Sequence, residues 1–416
     1  MRKERRVVVT GIGTINPLGH NVEEYFSNLE KGVSGAAEVT LFDPTNFKSR
    51  IACEVKNYDW SKYFDRKEVR KYDRFCQFGL IAATEAIEDA AFDFETLNKE
   101  RVGVIMGSGV GGIQSFHDGT VGWVEGGKIP RFSPFLIPNL ITDIVPGHLS
   151  IKYGFMGPNY SVSSSCASSN HAIIDALNHI RWGKADVIVT GGAEAPITVE
   201  GLGGFSSMHA ISTRNDDPQH ASRPFDVDRD GFVMAEGAAA LVFEEYEHAV
   251  ARGAKIYCEV AGGGTSADAY HMTAPHPEGT GAVISMREAL EDAGMDVTDI
   301  DYINTHGTST PLGDVAEIKA ITTLFGEHTY KLNISSTKSM TGHMLGATAA
   351  AEALACIMAI TKGIIPPTIN VENVDPEIDS RLNLTLSTAQ RREVRGALSN
   401  NFGFGGHNST VIFRKI

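Results

Sequence analysis

The sequence predicts an α/β fold with largely parallel strands, on three observations. Short β-branched runs alternate with stretches of helical periodicity along the whole chain. Two glycine-ended apolar runs return in similar form and in the same order in the second half. No run reaches the roughly 18 uninterrupted apolar residues of a membrane span, so the apolar segments are expected to be buried strands and helices.

The elements follow in chain order. The basic start Met1 to Arg6 running into Val7 resembles the opening of a secretion signal, but Gly11, Gly13, Asn16 and Pro17 interrupt the apolar run and no small-residue cleavage site follows. A first strand is therefore predicted at 7–10. Further strands are expected at 102–106, 187–190, 239–243, 302–305 and 397–400. Ile173, Ile174, Leu177 and Ile180 form one apolar helical face, with Gly183 as its stop. Asp314 and Glu317 have capping-box spacing at the start of another helix, and an Ala-rich helix runs from about Ala347 to Ile360. The segment 6–14 resembles 255–265, and 187–193 resembles 302–308. Together they predict a duplicated unit, residues 1–253 and 254–416, packed as one body because no low-complexity linker separates the halves.

Composition limits function. At 42% hydrophobic the chain can bury a large core, and its 43 glycines imply tight turns and close backbone approaches. Five scattered cysteines, odd in number and without a CxxC pair, suggest neither a disulfide framework nor a zinc knuckle, and fit a reducing cytoplasm. A net charge of -14 argues against nucleic acid or an anionic membrane as partner. An acidic partner would need a local basic patch. Arg66, Lys67, Arg70, Lys71 and Arg74 supply one if i, i+4 spacing lines them along a helix, although a solvated helix face reads the same way.

Gly107-Ser-Gly-Val-Gly-Gly112 fits the dinucleotide pattern GxGxxG. However, Gln114, Ser115, His117, Asp118, Gly119 and Gly122 are expected to break the long helix that pattern needs, leaving a glycine-rich turn. No GxSxG elbow, GxxxxGK[ST] loop or HExxH occurs. Three other segments carry chemistry. Ser163-Ser-Ser-Cys166 opens a helix, where free NH groups and the positive dipole end favour a thiolate; an inert buried cysteine is the plainer alternative. Thr305-His306-Gly-Thr308-Ser-Thr310 lies just past a strand, and Lys338-Ser-Met-Thr-Gly-His343 precedes the Ala-rich helix. Either histidine alone could equally be a surface residue.

Together these segments, with the ending Asn401-Phe402-Gly-Phe-Gly-Gly-His407-Asn, resemble the elongating β-ketoacyl-acyl-carrier-protein synthases of bacterial fatty-acid synthesis. The resemblance runs from Arg6 to the C-terminus through Gly191-Gly-Ala-Glu, Ser212-Thr-Arg-Asn, Ser222-Arg-Pro-Phe-Asp, Asp230-Gly-Phe and Asp268-Ala-Tyr-His-Met-Thr. It implies a thiolase-like fold of two duplicated halves in five α-β-α-β-α layers, a homodimer, and no cofactor. It also implies that Cys166 accepts the growing acyl chain from acyl carrier protein, while His306 and His343 hold the thioester oxygen of malonyl carrier protein as carbon dioxide leaves. Backbone NH groups of Cys166 and Phe402 would form the oxyanion hole. Lys338 would organise His343 and Glu352 would support that network; Thr308 and Thr310 would touch the pantetheine arm, and Phe402 would gate the acyl pocket. Arg66, Lys67, Arg70, Lys71 and Arg214 would meet the acidic carrier.

Two features depart from the family pattern: the serine-rich surroundings of Cys166, and His407 where Thr is common. The rival readings are a polyketide-type ketosynthase or its chain-length partner, and a zinc site of Cys166, His306 and His343.

Overall fold

The computed structural model describes residues 5–416, so Met1 to Glu4 of the basic start lie outside the described residues. The first part of the chain contributes strands β1 (Val7–Ile15), β2 (Val102–Gly107), β3 (Asn159–Val162), β4 (Val187–Glu194) and β5 (Gly237–Glu245). The second contributes β6 (Cys258–Ala267), β7 (Tyr302–Asn304), β8 (Asn333–Ser335), β9 (Gly396–Gly403) and β10 (His407–Arg414). Five of the six predicted strands lie within these spans, and the sixth, 302–305, runs one residue past the end of β7. The helices that matter here are α1 (Arg74–Asp89), α2 (Ile113–Glu125), α3 (Ile144–Tyr153), α4 (Ser168–Arg181), α5 (Thr280–Ala293), α6 (Pro311–Phe325) and α7 (Thr348–Lys362).

The strands form one sheet in the order β8-β7-β9-β10-β6-β1-β5-β4-β2-β3. Each group of five therefore repeats one order, third-second-fourth-fifth-first. The two groups join where β1 pairs antiparallel with β6, Val8 opposite Glu259 and Val9 opposite Cys258. Under this topology β1 matches β6, as the first sequence echo proposed. The second echo paired β4 with β7, which are not equivalent; the counterpart of β4 is β9. A strand ending in a Gly-rich turn is common to both, and that shared local need produced the match.

Parallel pairing is confined to the outer ends, β3/β2/β4 and β8/β7/β9. The middle of the sheet is antiparallel, including β9 and β10, which a short turn joins. The largely parallel sheet read from the sequence is thus corrected to a mixed one. Strands buried on both faces read as apolar runs whatever their direction.

Alternation along the strands sorts their side chains into layers. Val187 and Val189 face an outer core with Phe78, Ala82 and Ala86 of α1, whereas Ile188 faces a central core with Ile173 and Leu177 of α4 and Leu354 and Ile357 of α7. In the second half, Ile303, Leu398 and Ile412 pack on Met286 and Leu290 of α5 and Ile318 and Ile321 of α6, while Tyr302, Ala397, Val411 and Phe413 turn to the central core. Five layers result, with α4 and α7 as the middle one. Each fully buried Val, Leu, Ile or Phe contributes about 1.5–3 kcal/mol. The segment Leu345–Lys362 is long and apolar enough to cross a membrane, but it is buried inside the molecule as that middle layer.

Three local expectations change. The helix expected to break after Gly112 is intact as α2, because Asp73 Oδ2 accepts from Ser115 N at 2.9 Å and Ser115 Oγ at 2.6 Å. The helix has no fully buried residue, so its polar side chains need no core partners. Residues 66–71 form turns and a short 3-10 helix at Val69–Lys71 rather than an α-helical face. Asp65 Oδ1 draws in the NH groups of Lys67 at 2.7 Å and Glu68 at 2.8 Å and closes the chain into a turn. Helix α6 starts at Pro311, a favoured first helical residue, so Asp314 and Glu317 do not open it and are free for other backbone groups.

Candidate active site

Cys166 sits between β3 and α4, two residues before the helix begins and 8% exposed. The turn that presents it is fixed locally. Ser165 takes a positive φ of 54°, Ser168 Oγ accepts from Ser164 N at 2.9 Å and donates to Ser165 O at 2.6 Å, and Ser164 Oγ meets His171 Nδ1 at 2.6 Å. The serine-rich surroundings are thus the bonds that hold the turn. Gly403 presses against it: a Cβ there would lie 2.8 Å from Ser164 O and 3.1 Å from Cys166 N. His407 is exposed at the start of β10, and its charge helps burial hold His171 below its ordinary pKa.

His343 reaches the sulfur from the second half. Its backbone is bridged to 233–235, with His343 N donating to Val233 O at 2.8 Å and His343 O accepting from Ala235 N at 2.9 Å. Its Nε2 lies 3.0 Å from Cys166 Sγ, and its Nδ1 lies 3.0 Å from Thr348 Oγ1. His306 follows β7, and its ring meets that of His343 edge-on at 5.4 Å between centroids. The loop carrying it is held by Glu317, whose carboxylate accepts from His306 N at 2.9 Å and Gly307 N at 2.8 Å. The side chain of Asp314 likewise accepts from Ser309 N and Phe225 N. Burial pushes Glu317 up to about 7 and Asp314 up to about 6.

Lys338 and Glu352, each 1% exposed, form an ion pair at 2.5 Å, and Asn401 Nδ2 donates to the other Glu352 oxygen at 3.0 Å. Lys338 acts on the histidines through its field. Burial first and then its charge hold His306 and His343 well below the usual imidazole range, so both rings are neutral. Burial also pushes the Cys166 thiol up to about 12, although Lys338 pulls it down. The low thiol pKa expected from the helix terminus is therefore reversed: loss of water outweighs the dipole and the backbone donors, and the resting thiol keeps its proton.

The backbone NH groups of Phe404 and of Cys166 itself also pull the thiol down. They point to Phe404 beside the expected Phe402, which lies in the ladder opposite Asn408. The Phe402 ring stands 5.7 Å from that of His306, and Phe404 meets Phe205 at 6.2 Å. A cavity of about 620 Å³ joins these parts, lined by Cys166, His306, His343, Phe402, Phe404, Thr308 and Thr310 among others. The hydroxyls of Thr308 and Thr310 are 3.0 Å apart.

Arg66, Lys67, Arg70 and Lys71 are exposed and carry no ion pair among the described residues; Arg214 pairs with Asp217 at 3.0 Å. No group of three or more His, Cys, Asp or Glu among the described residues is arranged to hold a metal ion. The Gly107–Gly112 turn binds a side chain: buried Glu194 accepts from Ser108 Oγ at 2.8 Å, Gly109 N at 3.0 Å, Val110 N at 3.1 Å and Gly346 N at 3.1 Å. Glu194, Glu317, Phe404 and Thr348 were missed in the sequence. The two carboxylates left a trace there in the quoted GGAE and capping-box patterns, and Phe404 in the quoted ending Asn401 to Asn408.

Comparison with known proteins agrees with this arrangement. The family profile "Beta-ketoacyl synthase, N-terminal domain" matches residues 4–249, and its C-terminal counterpart matches 257–372. The chain is 46% identical over 414 residues to a 3-oxoacyl-[acyl-carrier-protein] synthase 2 of Vibrio harveyi, covering 99% of each chain. It is 45% identical over 416 residues to that of Staphylococcus aureus strain COL, covering 100% of both. Similar solved structures include a β-ketoacyl synthase from Burkholderia phymatum STM815, with a TM-score of 0.92 at 35% identity over 99% of this chain and 100% of that one. A type II polyketide ketosynthase in complex with its acyl-carrier protein has a TM-score of 0.91 at 32% identity, covering 100% of both chains.

Proposed function

This chain belongs to the β-ketoacyl synthase family, and from that membership we propose how its residues carry the reaction. It is a thiolase-like condensing acyltransferase of fatty-acid elongation. An acyl group on Cys166 is joined to malonyl-acyl carrier protein, giving the 3-oxoacyl carrier protein two carbons longer and carbon dioxide. The observation that carries the assignment of roles is the meeting of the Cys166 sulfur, His343 and His306 on one cavity.

The proton of Cys166 must leave before the sulfur attacks, and the neutral His343 Nε2 at 3.0 Å is the base that takes it. The NH groups of Cys166 and Phe404 then hold the oxygen of the tetrahedral intermediate, each worth about 2.7–4 kcal/mol. In the second half-reaction His306 and His343 donate to the malonyl thioester oxygen as carbon dioxide departs, and the enolate carbon attacks the acyl thioester. Neutral rings suit that role because no competing cation is needed. Lys338 and Glu352 keep the field around both rings constant, Thr308 and Thr310 contact the pantetheine arm, and the Phe402 and Phe404 rings bound the acyl pocket.

Acyl carrier protein is the partner, and Arg66, Lys67, Arg70, Lys71 and Arg214 are its docking patch. The exposed positive charge of Arg66, Lys67, Arg70 and Lys71, which carry no ion pair among the described residues, on an acidic enzyme supports this. The functional division falls at 253/254, the first unit bearing the nucleophile and the second both histidines. The working form is a homodimer in the cytoplasm, without membrane insertion or bound cofactor. The edge strand β3 with exposed Ile151 and Met156 nearby in sequence supports the dimer, and five free thiols support the compartment.

Purified protein incubated with an acyl and a malonyl carrier protein should yield one condensation product by mass spectrometry, and Cys166→Ala should yield none. The polyketide reading is favoured by the type II polyketide structural relative. It predicts repeated unreduced extensions, so a ladder of such products would replace the fatty-acid assignment.

A further inference from the structure

We infer that Thr348 is a positioning residue for His343, and that its hydroxyl lets one imidazole act as a base toward Cys166 and as a donor toward a thioester oxygen. The inference rests on the condensing roles proposed above and adds a residue to them. Thr348 is the first residue of α7, fully buried, with Oγ1 3.0 Å from His343 Nδ1, while Nε2 of the same ring is 3.0 Å from Cys166 Sγ. The two ring nitrogens are thus assigned to two partners, one that reacts and one that does not.

A hydroxyl both donates and accepts, so it satisfies either form of the neutral ring, whereas a backbone NH could serve only one. For acylation Nδ1–H donates to Thr348 Oγ1 and the Nε2 lone pair faces the thiol. The proton passes from Sγ to Nε2, and the sulfur keeps the electron pair and attacks the acyl thioester carbon. The carbon–sulfur bond to the carrier's pantetheine breaks, its sulfur leaves with that pair, and it takes the proton from Nε2. For decarboxylation the ring carries its proton on Nε2, facing the malonyl thioester oxygen, and Thr348 Oγ1–H rotates to donate to Nδ1. Water exchanges the proton between the two nitrogens while the cavity is open between substrates.

The transient imidazolium needs acceptors for both NH groups, and Thr348 is the one at Nδ1. The titratable and charged groups around the ring are Cys166, His306 and Lys338 with its partner Glu352, and Glu194 acts on Cys166. None of them bonds Nδ1.

Thr348→Val keeps the shape and removes the hydroxyl, and Thr348→Ser keeps the hydroxyl. Two single-turnover rates separate the half-reactions: acyl transfer from acyl carrier protein to Cys166, and carbon dioxide release from malonyl carrier protein by enzyme acylated to completion beforehand. Thr348→Val should slow acyl transfer by about tenfold or more, the usual effect of a lost bond to a charged group. Carbon dioxide release should fall less, by about two- to tenfold, because the neutral ring loses only a neutral partner. The pH profile of Cys166 alkylation by iodoacetamide should move upward, and Thr348→Ser should restore all three readouts. Thr348→Ala removes the same hydroxyl and gives the same ordering should the valine variant not fold. Equal slowing of both half-reactions, an unmoved alkylation profile, or no rescue by serine overturns the role of Thr348. Absence of condensation by the unaltered protein overturns the functional reading instead.

Discussion

Replacing His343 by leucine asks whether the helix end or the imidazole makes Cys166 reactive. Leucine fills much of the ring's volume and keeps the site dry, so the burial that pushes the thiol up to about 12 is retained while the base is lost. At pH 8 a thiol at its ordinary 9.0 is about one-tenth ionised, and one at about 12 only about one ten-thousandth, a loss of about a thousandfold in thiolate. The unaltered protein escapes much of this loss because the proton passes to His343 Nε2, 3.0 Å from the sulfur, rather than into solvent. Stopped-flow alkylation with iodoacetamide between pH 6 and about 10 reads the difference. The leucine variant should react more than about tenfold slower at pH 8, with a rate that climbs about tenfold per pH unit and does not level off. A variant as fast as the unaltered protein, levelling off below pH 8, would mean that the dipole and backbone donors alone ionise the sulfur. The base role would then be wrong.

The Lys338–Glu352 pair, buried on both sides, should behave as a unit: Glu352→Ala should cost about 3–5 kcal/mol in urea unfolding by stranding a charge, and adding Lys338→Met should recover much of that. Additive losses in that double-mutant cycle would refute the coupling. Carrier-protein affinity measured by fluorescence anisotropy should fall as salt rises, and Arg70→Glu should flatten the dependence; an affinity indifferent to salt would remove the patch from Arg66 to Lys71 as the docking surface. Gly403→Ala should lower turnover and the unfolding midpoint together, since its Cβ would lie 2.8 Å from Ser164 O and 3.1 Å from Cys166 N, backbone atoms that must shift beside the reacting sulfur. Unchanged kinetics would show that the loop can yield.

What the sequence revealed was local. Strand positions followed from runs such as Val187 to Thr190, and the three reacting residues stood out because each lies in a short motif at a strand end. Strand direction did not follow, because β4 and β5 are as apolar as β2 and give no sign of how they pair. Glu194 and Glu317 escaped as site residues because most of their partners are backbone groups, and the Glu194–Gly346 contact spans 152 positions of sequence. Thr348 lies in an Ala-rich run and becomes visible only when His343 Nδ1 is placed beside it. The thiol's shift escapes the sequence for a related reason: a helix terminus can be read from residue types, but the exclusion of water around Cys166 needs the packed cavity.

The repeated strand order has a further implication. In each half the third strand leads into a middle-layer helix: β3 runs through Cys166 into α4, and β8 runs through His343 into α7. Sulfur and imidazole thus occupy the same address in two copies of one scaffold, set face to face by the junction of β1 with β6. Any complementary pair of side chains placed at those two addresses would be held at bonding distance without altering the architecture. New chemistry in this framework is therefore a matter of two substitutions and the shape of the cavity between them.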